Sequence, residues 1–90
     1  MRNRRHFENA RREASQIRTM IADLDRTIQL LDSDIGVHEN AMVDDPANFA
    51  YLVSARNLAA RRDNLKITVA ALEQRLSDQP LQLENVAVEA

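Results

Sequence analysis

Residues 10–35, ARREASQIRTMIADLDRTIQLLDSDI, decide the fold. Their apolar side chains fall at Ala10, Ala14, Ile17, Ile21, Leu24, Ile28, Leu31 and Ile35, at alternating spacings of four and three. Such an alternation averages about 3.5 residues, which keeps one seam of a helix turned toward a partner helix. The pattern continues outward to Phe7 on one side and to His38 and Met42 on the other, with His38 the one polar occupant. Most of the intervening residues are good helix formers, chiefly Ala, Leu, Arg, Gln and Met. The spacing predicts a first helix over about residues 4–43. Gly36 falls beside the seam, on the outer face, at a propensity cost of about 1 kcal/mol.

Asp44-Asp45-Pro46 interrupts the pattern. Proline pushes the preceding residue out of helical conformation and suits the first position of a new helix. Asp45 is a suitable N-cap. The expected turn is therefore 44–45, with a second helix over about 46–78. That helix has its own seam at Tyr51, Ala55, Leu58, Arg62, Leu65, Val69, Leu72 and Leu76. Arg62 is its intruder, and it is expected to reach out to Asp25 or Asp32 or else to act as a register device. Ser77, Asp78, Gln79 and Pro80 close it, and residues 80–90 are expected to be a flexible or partner-dependent tail.

Two helices joined by so short a link run antiparallel. The charge distribution names the same fold point. Residues 1–18 carry net +4, 19–55 net −6, 56–72 net +3 and 73–90 net −3. Folding at 45/46 sets basic blocks against acidic ones and brings Arg18 near Glu73, Asp25 near Lys66 and Glu13 near Arg75. A domain-swapped pairing of two chains satisfies the same pattern. The fold class expected is all-α: a long antiparallel two-helix hairpin, coiled-coil-like, over residues 1–79.

Composition removes the main alternatives. The chain has 90 residues with one Gly, two Pro and no Cys. It is too poor in turn residues for a β-sandwich or barrel, which needs a turn every 8–12 residues or so. Phosphate-binding glycine loops, zinc knuckles and thiol nucleophiles are absent from the sequence. No run approaches the ~20 apolar residues of a membrane-spanning helix, and the basic N-terminus is not followed by a signal-type apolar segment. No membrane partner is expected, and the cytoplasm is the expected location.

A two-helix hairpin buries one stripe per helix, which is a thin core for its length. Apolar residues outside the seams include Met20, Leu30, Val37 and Val43 on the first helix. On the second helix Val53, Ala60 and Ile67 lie a heptad apart and form a second stripe. A helix with two stripes has two neighbours. The expectation is a homodimer closing into a four-helix bundle, with Phe49, Val53, Ala60 and Ile67 as the self-association face.

Candidate chemical sites are weaker. Arg4, Arg11 and Arg18 lie on one helical line with Arg5 and Arg12 beside it. Such a stripe is able to contact phosphates, so a nucleic-acid-associated protein is the alternative function. Against it stand a net charge of −2 and the lack of interleaved aromatics other than Phe7; a solvated, salt-bridged face is the plainer reading. Asp34 and His38 share a helix face, but two ligands do not make a metal site. The serines have no neighbouring His, and the paired acids Asp23/Asp25 and Asp32/Asp34 point to different sides of a helix. No catalytic residue, metal or cofactor is expected. The reading is a non-enzymatic helical-hairpin protein–protein interaction module, such as a small adaptor, chaperone-like protein or regulatory subunit, with an as yet unidentified protein partner besides itself.

Overall fold

The computed structural model describes residues 2–78; for residues 2–7 it describes the backbone only. The expected tail, 80–90, lies outside the described residues. The described chain is two helices, α1 (Arg2–Asp44, 43 residues) and α2 (Phe49–Ser77, 29 residues), packed against each other as a hairpin. No strand occurs among the described residues. The molecule is a narrow rod of 67 × 21 × 14 Å. Its length is that of α1 alone, at about 1.5 Å per residue. No helix among the described residues is long and apolar enough to cross a membrane.

The seam packs as its spacing requires. Ala10, Ala14, Ile17, Ile28, Leu31 and Ile35 of α1 are buried, as are Ala55 and Val69 of α2. Ile21, Leu24, His38 and Met42 are half-buried, and so are Tyr51, Leu58, Arg62, Leu65, Leu72 and Leu76. Each helix thus contributes one strip, and among the described residues no large side chain is fully enclosed. Alanines at 10, 14 and 55 permit close approach of the backbones, since interaxial distance follows the size of the contacting side chains.

The link differs from the expected two-residue turn. The Asp45 N–H donates to the Ala41 carbonyl at 2.9 Å, so Asp45 finishes α1 rather than capping α2. The Asn48 N–H donates to the Asp45 carbonyl at 3.2 Å, closing a four-residue turn with Pro46 at its second position. Proline is preset for that position by its fixed φ. Asn48 is the N-cap: its backbone is extended and its Oδ1 accepts from the Ala50 N–H at 3.0 Å. The physical reason is the turn itself. Antiparallel helices are joined by about two to five residues, and the longer link lets Pro46 occupy a turn position that suits its fixed φ instead of the first turn of α2. Two further residues, Ala47 and Asn48, supply the reversal.

Gly36 is helical, with no positive φ, and a Cβ built on it meets nothing within 4 Å. The glycine therefore serves no steric need here and only adds backbone freedom to the unfolded chain. Gly36→Ala is expected to stabilise the hairpin by about 0.5–1 kcal/mol, read as a raised urea midpoint at unchanged slope. Asn48→Ala removes the cap of α2 and is expected to cost about 1 kcal/mol in the same titration, whereas Asp45→Ala costs less. Equal costs at 45 and 48 would place the cap elsewhere.

Candidate functional site

Two kinds of polar residue interrupt the α1–α2 seam. Arg62 stands in the α2 strip with its guanidinium turned to the rim. Its Nη1 donates to Asp32 Oδ1 at 2.9 Å and its Nε to Asp63 Oδ1 at 3.2 Å. Of the two acids expected across the seam, Asp32 is the one engaged. Hydrogen bonds to Asp32 and Asp63 hold the guanidinium's pKa above its ordinary value, outweighing the opposing effect of desolvation. The stem covers the seam while the head stays at its edge, one quarter exposed. His38, the other intruder, lies with its ring centroid 6.3 Å from that of Tyr51, tilted by 41°. That is a packing contact between aromatic rings across the two helices. Asp34, its neighbour one turn earlier, is exposed. Among the described residues no three His, Asp or Glu side chains gather where an ion could be held.

The flanking charges are realised selectively. Glu13 and Arg75 form an ion pair between the helices. Arg18 and Glu73 do not pair, nor do Asp25 and Lys66, although all four side chains are described and exposed. An exposed pair is worth at most about 1 kcal/mol, too little to hold two long side chains in one geometry. Orientation follows from the summed charge blocks and the turn more than from any one bridge.

Of the Arg-rich face, Arg11, Arg12 and Arg18 are exposed on α1, while the side chains of Arg4 and Arg5 lie outside the described set. Arg12 lines a shallow hollow with Glu13, Met20 and Arg75. Acid and base therefore alternate there, and the face is not a continuous basic stripe. A second open groove runs beside the turn, lined by the apolar Ile35, Met42, Val43, Leu52, Ala55 and Ala59 together with Glu39, Arg56 and Arg62.

The outer surface of α2 is the more regular feature. Phe49 is 74% exposed, Val53 54% and Ile67 68%, and Ala60 is exposed between them. Val53, Ala60 and Ile67 share one heptad line on the side of α2 turned away from α1. The exposed apolar residues of α1 do not align in this way: Leu30 and Val37 share a line, but Met20 and Val43 each lie on another. Apolar side chains on two opposite faces make α2 a helix with a second, uncovered face.

The structure adds residues that apolar counting passes over. Ala50, Asn57, Asn64 and Ala71 are all exposed and lie on the line next to Val53, Ala60 and Ile67. Interleaved, the two lines read Ala50, Val53, Asn57, Ala60, Asn64, Ile67, Ala71, at spacings of three and four without a slip. This is a second complete heptad seam. The signal lay in the sequence, but two asparagines at seam positions hide it from a search for apolar residues alone. No hydrogen bond within the described chain engages either asparagine side chain. Comparison with known proteins adds no name to this arrangement: no family model, curated protein or solved structure matches the chain.

Proposed function

We propose that this chain is a non-enzymatic helical-hairpin interaction module that self-associates through the outer face of α2, two hairpins closing into a four-helix bundle. The observation that carries the reading is the exposure of Phe49, Val53, Ala60 and Ile67 along a helix whose other face is already packed. Burying a side chain of the Val, Ile or Phe class is worth about 1.5–3 kcal/mol, and two-fold symmetry counts each residue twice. The hairpin's single-strip core gives the same argument from the other side: a second layer of helices supplies the burial that one pair lacks. The four-helix bundle leaves other helix faces, among them the groove beside the turn, for a partner protein. Action in the cytoplasm is part of the same proposal. Nucleic-acid contact through Arg11, Arg12 and Arg18 has less support, because Glu13 lies among them and already pairs with Arg75.

Equilibrium sedimentation at micromolar concentration tests the reading. A species of twice the 10.2 kDa chain mass is expected. Ile67→Asp is expected to return the single-chain mass with helical circular dichroism retained, since Ile67 takes no part in the α1–α2 seam. A wild-type chain that sediments at 10.2 kDa up to high concentration overturns the proposal.

A further inference from the structure

The outer seam of α2 has an internal order that a merely sticky face would not need. Each of its three lines is symmetric or complementary when reversed about Ala60 or about a point half a residue to either side of it. On the central line, reversal leaves Ala60 in place and exchanges Val53 with Ile67, two branched aliphatic side chains of similar shape. On the next line, Ala50, Asn57, Asn64 and Ala71, it exchanges alanine with alanine and asparagine with asparagine. On the flanking line it exchanges Arg56 with Asp63, opposite in charge, and Phe49 with Ala70, large with small. All of these residues are exposed in the hairpin.

An antiparallel two-fold contact sets each line of one helix against the same line of the other run backwards, and the same contact recurs on the far side of the axis. We infer that the occupant of this face is a second copy of the chain, its α2 antiparallel to the first, with the two-fold axis at Ala60. This deepens the self-association reading and rests on it. The small side chains at the centre, Ala60 with Ala50 and Ala71 toward the ends, let the two helices approach closely. The asparagines meet across the contact, Asn57 beside Asn64 of the second copy, so that each amide both donates and accepts. Amides paired in this way fix register, because a slip leaves them without partners. Arg56 faces Asp63 of the second copy twice over.

Charge also selects the direction. Arg61 is exposed on the flank of the outer seam opposite Arg56, and parallel helices would set Arg56 against Arg61 of the second copy on both flanks, two like-charge contacts. The antiparallel arrangement replaces these with two opposite-charge contacts and one meeting of Arg61 with its own copy at the axis. Asp63 accepts from Arg62 Nε at 3.2 Å on its own helix while its side chain stays exposed.

The chain has no cysteine, so introduced cysteines report the arrangement directly. A disulfide forms only between residues whose Cα atoms come within about 7 Å. Under mild oxidation Ala60→Cys is expected to link to its own copy. Val53→Cys alone and Ile67→Cys alone are expected to stay unlinked, and an equimolar mixture of the two to give a cross-linked pair. Val53→Cys and Ile67→Cys each linking to itself means a parallel contact and overturns the inference. A dimer by sedimentation that gives none of these links places the interface elsewhere; it overturns this inference while leaving self-association standing. A monomer at every concentration overturns both. Separately, Arg56→Glu is expected to weaken the dimer about tenfold, and adding Asp63→Arg in the same chain to restore it; failure of the second change to rescue the first overturns the Arg56–Asp63 pairing.

Discussion

One strip of apolar side chains on each helix carries the hairpin, and everything else in the molecule answers to how thin that strip is. Ile17, Ile28, Leu31 and Ile35 bury against α2, yet among the described residues no large side chain is fully enclosed. A two-layer domain encloses its centre from several sides; a pair of helices encloses it from two. The rim of the seam is therefore always close to water. That proximity explains why Arg62 is tolerated in the middle of the α2 strip: a stem over the seam and a head at its edge, on Asp32 and Asp63, costs little where solvent is one side chain away. The same thinness leaves α2 with a second apolar face that none of the described residues covers.

The features legible in the sequence were those set by spacing. Every seam position from Ala10 to Leu76 is buried or half-buried, because a heptad period admits one inward face and the hairpin requires one. The location of the reversal was legible from Pro46 and from the alternating charge blocks. The N-cap was not. Asp45 and Asn48 are both good capping residues, and local preference does not choose between them. The choice falls to a non-local constraint, the way the chain reverses between two packed helices, which local capping preference does not encode. Individual ion pairs were illegible for a related reason. Glu13–Arg75 forms and Arg18–Glu73 does not, and both are exposed pairs whose net worth is near the entropy of holding them.

The candidate face divides in the same way. Val53, Ala60 and Ile67 announce themselves by their period. Ala50, Asn57, Asn64 and Ala71 do not, because asparagine on a helix surface is ordinary and alanine has no strong preference for either side. They become visible only once the inner seam is placed, since that fixes which residues are left pointing outward together.

On the self-association proposed above, the two seams of α2 meet different demands, and their compositions differ accordingly. The inner seam joins segments tied by a four-residue turn. The tether already dictates direction and permits only small shifts of register, so leucines serve at half of the positions and a lone arginine suffices as a polar marker. A face that meets a separate chain has no tether. Uniform apolar packing there would accept parallel and antiparallel partners, and several registers of each, at nearly equal energy. Direction then has to be written in the side chains themselves: amides that are satisfied in one register, and charges that attract in one orientation and repel in the other. Asn57, Asn64, Arg56 and Asp63 lie at the positions where such information is needed. They weaken the face as a hydrophobic surface, and on the proposed reading that loss is the cost of specificity over adhesion.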